Sequence, residues 1–366
     1  MYKLTPASEN PWYQLATLAG DDHSANVLFW NGYQRKLLER ANIFDSTDED
    51  MSKLPELGES DLERVQQIEG LPSQMDGDSI NDFLRNKLPR IDFSNFYFGF
   101  KTVFVGSTFD FLADFTGATF GADVYFIGAK FDLMADFSHS RFRKSAAFSV
   151  IKDAMDAAPM SFLGAKFCSN APIFYGRRMH ENTDWTDAVW PKTSDSEDQL
   201  KSDIRAYERL RLIARDLGKV NDEHFFFRKE MDCARVLVRF QKKGLRRFVS
   251  VTPFWLFRAF SNYGHSFERP AFGLLCLWSL GSLGNFLHFN KSRPLSDIAE
   301  SNHALDSMIL SLANMLPFFG FHSRLPTHLL KVKSDWIFLL SSGQTILGFI
   351  LLFFLGLGLR NRFRLK

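Results

Sequence analysis

The stretch FTGATFGADVYFIGAKFDLMADF, residues 115–137, repeats phenylalanine at intervals of five and six residues. The repeated positions are Phe115, Phe120, Phe126, Phe131 and Phe137. A helix would scatter these side chains around its axis, and an extended strand would place them on alternating faces. A chain that turns a corner every five or six residues places all of them on the inside. The spacing therefore predicts a coil whose interior is filled with phenylalanine.

The same spacing runs through a longer tract and gives a strict period of 11 residues. From residue 102 onward, the position two before each phenylalanine is nearly always small, and glycines fall where turns are expected. A fixed repeat of this kind is typical of a solenoid. A phenylalanine-rich amphipathic sheet is the alternative, but the register does not slip over residues 93–148. The predicted core residues are Phe93, Phe98, Phe104, Phe109, Phe115, Phe120, Phe126, Phe131, Phe137, Phe142 and Phe148.

Short units in this tract match the repeat A-D/N-L/F-x-x. Good matches are ADFTG (113–117), GATF (117–120), GAKF (128–131) and ADFSH (135–139), and ADVYF (122–126) is looser. The tract therefore resembles the pentapeptide-repeat proteins. The resemblance implies their fold, a right-handed quadrilateral β-helix with one unit on each face.

A sixth residue in every second unit departs from the family pattern. Each coil is therefore expected to take about 22 residues, with coils stacked about 4.8 Å apart. We expect the solenoid to occupy residues 91–192 as four to five coils, with the segment IKDAMDAAP (151–159) bulging as a loop from one corner.

Composition and charge limit the kind of protein. The chain has 366 residues, enough for two or three domains, and its net charge of +2 does not by itself indicate a nucleic-acid partner. Cys168, Cys233 and Cys276 are widely spaced, which favours a reducing compartment over a disulfide framework. The N-terminus has no basic stretch followed by an apolar core, so we expect no signal peptide.

The regions on either side of the solenoid are predicted to be mainly helical. Residues 1–90 are polar, with the best helix candidate at 25–44, and we expect this region to cap the open first coil. Residues 196–248 have helical apolar spacing interrupted at Gly218, which predicts a helical hairpin.

Part of this hairpin, AYERLRLIARDLGKVNDEHFFFRKEM (206–231), resembles the segment that follows the repeats in membrane-attached pentapeptide-repeat proteins. Its residues Glu223, His224 and Glu230 are interpreted as a surface cluster and not as a metal site. Residues 249–270 are rich in aromatic side chains with arginines nearby, which predicts an amphipathic segment in the headgroup layer of a membrane. A linker helix packed on the soluble domain is the alternative.

Residues 271–366 contain two long uncharged stretches. AFGLLCLWSLGSLGNFLHF (271–289) has 19 residues without a charge, and WIFLLSSGQTILGFILLFFLGLGL (336–359) has 24. A membrane-spanning helix needs about 20 apolar residues, so both are predicted to span; two buried helices of a soluble domain are the alternative. Basic residues concentrate before the first stretch and after the second, so we expect a two-span protein of the bacterial inner membrane with both termini and the solenoid in the cytoplasm.

The segment between these stretches, HALDSMILSLANMLPFFGF (303–321), predicts a short apolar helix that ends at Pro317. With its two flanking spans it resembles the pore module of two-span ion channels, where a re-entrant helix enters the membrane. An amphipathic helix on a simple two-helix anchor is an equal alternative. Polar groups in a span seldom face lipid, which gives a set of pore or helix-contact residues. They are Ser307, Ser311, Asn314, Gly320, Gln344 and Thr345.

The filter pattern T-V-G-Y-G of potassium channels is missing here. The sequence NMLPFFGF occupies that place and has Gly320 as its single glycine, so potassium selectivity is unsupported. A pore also requires a symmetric homo-oligomer. Small residues in the two spans would permit close helix contact, namely Gly281, Gly284, Gly343 and Gly348.

Three functional classes follow from these features. The first is a non-enzymatic, membrane-anchored scaffold or sensor that holds a cytoplasmic protein partner, and the second is an ion-channel-like protein gated by its solenoid. The third is a DNA mimic that inhibits a topoisomerase, as some pentapeptide-repeat proteins do, but residues 93–148 carry five acidic and five basic residues. No catalytic motif is recognisable, so we expect no catalytic residue, cofactor, metal or nucleic-acid partner.

Overall fold

Four parallel β-sheets surround one aromatic interior in the first part of the chain. The structure is a computed structural model that describes residues 4–40, 55–71, 90–150, 158–292, 303–317, 320–321 and 335–363. It divides into two compact units, residues 1–240 and 241–366. The first unit contains the β-sheets and the helices that cover their two ends.

Each sheet gains one short strand per coil, and every pair of neighbouring strands is parallel. The sheets have the strand orders β1-β3-β7-β11-β14, β13-β10-β6-β2, β12-β8-β4 and β5-β9. The strands are β1 (Thr5–Pro6), β2 (Arg90–Asp92), β3 (Phe96–Phe98), β4 (Thr102–Val103), β5 (Thr108–Phe109), β6 (Leu112–Asp114), β7 (Thr119–Phe120), β8 (Val124–Tyr125), β9 (Lys130–Phe131), β10 (Ala135–Asp136), β11 (Arg141–Phe142), β12 (Ala146–Ala147), β13 (Met160–Ser161) and β14 (Lys166–Phe167).

The register confirms the predicted solenoid and its coil length. Ile91 pairs with Ala113, and Ala113 pairs with Ala135, so that one coil takes 22 residues. Ala135 then pairs with Met160, which adds three residues at the predicted loop, although residues 151–157 of that loop lie outside the described residues.

Regular strands account for about three turns of the four to five coils that were expected. Beyond them, the stacking continues through β13, β14 and single bridges at Ile173, Asp184 and Val189. The longer spacing after β10 interrupts the regular repeat, which is why the last coils pair more sparsely.

The eleven phenylalanines of the sequence pattern are all buried and point into the solenoid. Because the strands are in register, each ring lies over the ring one coil away, nearly parallel and close to the strand spacing of about 4.8 Å. Along one column the centroid distances are 4.8, 4.9, 5.2 and 4.5 Å. That column consists of Phe93, Phe115, Phe137, Phe162 and Trp185. A second column consists of Phe98, Phe120, Phe142 and Phe167, and a third of Phe104, Phe126, Phe148 and Phe174. The fourth contains Phe109 and Phe131.

One corner of the coil requires a left-handed backbone in successive layers. Asn95, Gly117, His139 and Gly164 all have φ between 57° and 68° at this corner. A Cβ atom on Gly117 would lie 2.5 Å from the Oδ1 atom of Asn95. Successive layers therefore alternate between a residue with a side chain and a glycine. The side chain occupies the space in which a Cβ atom of the neighbouring glycine would lie.

The segment of residues 4–40 covers the open first coil. It contains β1, a 3₁₀ turn (Ala7–Glu9), α1 (Pro11–Ala16) and α2 (His23–Arg40), and a third helix, α3 (Glu59–Gln66), follows. Thr108 donates its backbone N–H to Oδ1 of Asn31 at 2.8 Å, and the indole of Trp30 donates to the carbonyl of Thr108 at 2.6 Å. Side chains of α2 thus replace the strand partners that the first coil lacks. Residues 41–44 of the predicted helix at 25–44 lie outside the described residues.

Two helices cover the other end of the solenoid. They are α4 (Glu197–Asp216) and α5 (Val220–Gln241), joined at Gly218 with φ of 69°. Phe226 on α5 contacts Trp190 edge to face at 4.9 Å. Lys229 donates to the carbonyl of Pro191 at 3.0 Å. The aromatic packing of the solenoid therefore extends from the last coil into the helical hairpin.

The second unit consists of four helices in the described part of the chain: α6 (Gly244–Ser261), α7 (Glu268–Ser292), α8 (His303–Met315) and α9 (Asp335–Phe363). The predicted boundary at residue 248 lies inside α6, because Lys243 is extended and the helix begins directly after it. By length and composition α7 and α9 can cross a membrane, with mean hydropathy of 1.3 and 2.1.

Phe126→Ala tests the stacked interior. Phe126 is fully buried between Phe104 and Phe148, so truncation should leave a cavity and lower the free energy of unfolding by about 3–5 kcal/mol. The measurement is denaturant unfolding of the detergent-solubilised protein, followed by tryptophan fluorescence. The matched control is Phe100→Ala, because Phe100 is 85% exposed and should change stability by less than about 0.5 kcal/mol. Equal effects of the two substitutions would contradict the inward position of Phe126.

Candidate functional site

A chain of hydrogen bonds between polar side chains joins three helices of the second unit. Ser311 on α8 donates its hydroxyl to the carbonyl of Trp278 on α7 at 2.9 Å. Gln344 on α9 donates its amide to Oγ of Ser311 at 2.8 Å and to the carbonyl of Leu277 at 3.2 Å. Ser311 and Gln344 are both buried. The structure therefore brings together two residues that the sequence analysis named separately.

A second group of bonds lies between α8 and α9. Asn314 donates its amide to Oγ of Ser341 at 2.8 Å, and Thr345 donates its hydroxyl to the carbonyl of Asn314 at 2.9 Å. We call Ser311, Asn314, Ser341, Gln344 and Thr345 the polar helix contact. These are neutral hydroxyl and amide groups whose hydrogen bonds hold the helices together.

Two other predicted residues lie elsewhere. Ser307 is buried on α8, one turn before Ser311. Gly320 is exposed beyond the end of α8 and has a left-handed backbone with φ of 69°. His322 and His328, in the predicted connecting loop, lie outside the described residues.

Glycines make the close approach of these helices possible. A Cβ atom on Gly281 would lie 1.6 Å from Nε2 of Gln344 and 2.6 Å from Oγ of Ser311. On Gly348 it would lie 2.7 Å from the carbonyl oxygen of Met315. Gly343, by contrast, has no described atom of this chain within 4 Å of its Cβ position, so its predicted helix contact does not occur within the described chain.

Asn285 is a polar residue of this unit that the sequence analysis missed. Its side chain is fully buried on α7, and neither atom of its amide has a hydrogen-bond partner in the described structure. Oε1 of Gln344 is likewise without a partner there. The sequence could have indicated its buried position, because Asn285 has the single amide side chain of the stretch 271–289 and such groups seldom face lipid.

The first unit has an open cleft of about 510 Å³ beside the last coil. Trp190 and Phe225 line it together with charged groups of both signs, among them Lys219 and Asp222. Lys219 donates to the carbonyl of Thr183, and burial raises the pKa of Asp222. The cleft therefore combines aromatic side chains with polar and charged groups.

Titratable groups of the helical hairpin form ion pairs. Glu230 accepts from Nε of Arg211 at 2.8 Å, and Glu223 accepts from Nε of Arg215 at 2.8 Å. Burial raises the pKa of Glu230, although its arginine partner opposes this. In the part of the chain that the structure describes, no group of three or more His, Cys, Asp and Glu side chains is placed to hold a metal.

Two aspartates stack on the outside of neighbouring coils. Burial raises the pKa of Asp110 to about 8, and a side-chain hydrogen bond to Asp132 together with the charge of Asp132 adds to the rise. Nζ of Lys130 pairs with Asp132 at 3.0 Å and acts in the opposite direction on Asp110. Asp110 therefore holds its proton to a higher pH than an exposed aspartate does.

No protein-family model, curated protein or solved structure matches the chain.

Gly281→Ala tests the polar helix contact. The added methyl group displaces the amide of Gln344 and should leave buried polar groups without partners, at a cost of about 1–3 kcal/mol. The measurement is thermal unfolding in detergent. Gly343→Ala is the matched control in a helix interior, and it should be neutral or slightly stabilising because its Cβ position is open. Adding Gln344→Ala to Gly281→Ala should recover part of the loss, and strict additivity of the two changes would refute the contact.

Asp110→Asn tests the aspartate pair. Between the ordinary pKa of 3.8 and the raised value of about 8, the folded chain holds a proton that the unfolded chain releases. Stability should therefore fall as the pH rises through this window. The free energy of unfolding of the asparagine variant should fall less over this pH range. The variant should therefore become more stable relative to the unsubstituted protein as the pH rises. Parallel curves of unfolding free energy against pH for the two proteins would disprove the raised pKa.

Proposed function

We propose that the protein is a membrane-anchored pentapeptide-repeat scaffold that presents its solenoid to a protein partner. The roles of the residues in the A-D-F units support the family assignment. In two such units alanine and phenylalanine point inward, while Asp114 and Asp136 accept the backbone N–H of Thr116 and Ser138 at 3.0 and 2.8 Å. The aspartate thereby closes the turn at the same corner of two successive coils, which gives a physical reason for its place in these units.

The exposed surface of the two long helices supports the membrane anchor. Phe272 and Leu280 on α7 are each 67% exposed, and Phe338 on α9 is 71% exposed. Soluble proteins rarely expose apolar surface on this scale, whereas lipid covers it at no cost. The basic residues before α7 and at the end of α9 favour a cytoplasmic position for both termini.

The observation that carries the scaffold proposal is the filled interior of the solenoid. Rings occupy the described coil from Phe93 to Trp185, and helices cover both ends. The four outer faces are then the available surface, and a rigid flat face is suited to binding another protein.

An oligomeric ion channel gated by the solenoid is the second candidate. It is favoured by α8, a short helix that contacts both long helices as a re-entrant helix would. Its polar residues, however, hydrogen-bond within one chain. A pore would therefore have to form between copies, from other groups.

Membrane extraction and bilayer recording test both candidates on the full-length protein. The anchor proposal expects the protein to stay with membranes after an alkaline wash, while a chain ending at Phe240 is released. The scaffold proposal then expects a silent planar bilayer from protein shown to be inserted. Reproducible ion-selective steps from the inserted protein would favour the channel. Release of the full-length chain by the wash would reject the anchor.

A further inference from the structure

Helix α6 has two apolar faces, and one of them packs inside the second unit. Phe257 and Phe260 stack on Phe354 of α9 with centroids 5.9 and 6.0 Å apart. After α6 the backbone makes a tight left-handed turn, and the amide of Asn361 donates to the carbonyl of Gly264 at 3.0 Å. These contacts fix the orientation of α6 relative to the two long helices.

The other face of α6 is exposed. Its apolar residues are three, four or seven residues apart, as on one side of an amphipathic helix. Leu245 is 78% exposed and Phe248 is 69% exposed, so the face lacks a cover in the structure. We call this face the apolar stripe; its members are Leu245, Phe248, Val249, Trp255 and Leu256.

Basic residues lie close to the apolar stripe in the sequence. Residues 241–270 contain six lysines and arginines against one acidic residue, Glu268. Glu268 lies 3.7 Å from Arg362, so that positive charge dominates this side of the unit. The basic residues are Lys242, Lys243, Arg246, Arg247, Arg258 and Arg269.

We propose that α6 lies in the surface of an anionic lipid leaflet, with the apolar stripe in the acyl boundary and the basic residues on phosphate headgroups. Helices with an apolar face and basic flanks bind membranes in this way. A second copy is the poorer occupant, since a two-fold contact would bring two clusters of like charge together. The proposal deepens the membrane anchoring proposed above and rests on it.

The experiment uses the full-length protein with Cys168→Ser and Cys276→Ser, which leaves the buried Cys233. A fluorescent label is attached at Val249→Cys on the apolar stripe or at Ile346→Cys on α9, where the native side chains are 62% exposed. The protein is reconstituted with brominated phospholipids that quench the label on contact. One set of vesicles contains phosphatidylcholine alone, and the other also contains phosphatidylglycerol.

The Val249 label should be quenched in the anionic vesicles and much less in the neutral ones. The double substitution Arg246→Gln with Arg247→Gln should weaken the binding of α6 to the anionic surface. The ratio of membrane-bound to unbound α6 should fall by about fivefold for each charge removed. The matched control is Arg141→Gln with Arg143→Gln, which removes the same charge from the exposed side of the solenoid and should change nothing.

Two outcomes would overturn the proposal and leave the anchor intact. Equal quenching in both sets of vesicles would reject the anionic lipid as the partner. An unquenched Val249 label beside a quenched Ile346 label would show that another occupant, such as a protein or a second copy, covers the apolar stripe. If the Ile346 label is also unquenched, the proposed membrane anchor itself is wrong.

Discussion

The stacking of aromatic rings at the spacing of hydrogen-bonded strands is the constraint on which the solenoid depends. Parallel pairing places each coil directly over the previous one, so an inward residue always meets its counterpart from the next coil. Phenylalanine satisfies this geometry because flat rings can stack at about 5 Å without leaving a gap. The column from Phe93 to Trp185 shows the consequence, since its spacing stays between 4.5 and 5.2 Å over five rings.

Where a column stops, another group must complete the contact. Phe131 is the last ring of its column in the described residues, and the guanidinium of Arg177 lies 5.6 Å from its centroid. The same side chain donates to the carbonyls of Ala129 and Phe148, each at 2.6 Å. Burial lowers the pKa of Arg177 to about 10, so it remains charged at neutral pH. An arginine can thus end a column because it offers a flat cation to the ring and hydrogen bonds to the exposed backbone.

The repeating part of the structure could be predicted from the sequence, and the residues that end it could not. The spacing from Phe93 to Phe148 determined the inward positions, the coil length of 22 residues and the four faces. Arg177, Asn31 and Trp30 act through single contacts with residues far away in the chain. Such contacts have no period and leave no local signal. The sparser strand pairing after residue 150 was not predicted for the same reason, because it follows an insertion and not the repeat.

The second unit shows how the same polar residues can be assigned opposite roles from sequence. Ser311, Asn314, Gln344 and Thr345 were equally suited to lining a pore or to joining helices. A hydroxyl or amide group that is hydrogen-bonded to a neighbouring helix has fewer free lone pairs and N–H or O–H groups with which to bind a passing ion. The amide nitrogen of Gln344 donates both to Leu277 on α7 and to Ser311 on α8. Asn285 and Oε1 of Gln344 retain unused hydrogen-bonding capacity, but both are buried between helices. Conduction through a single chain would therefore have to break the bonds that hold its helices together.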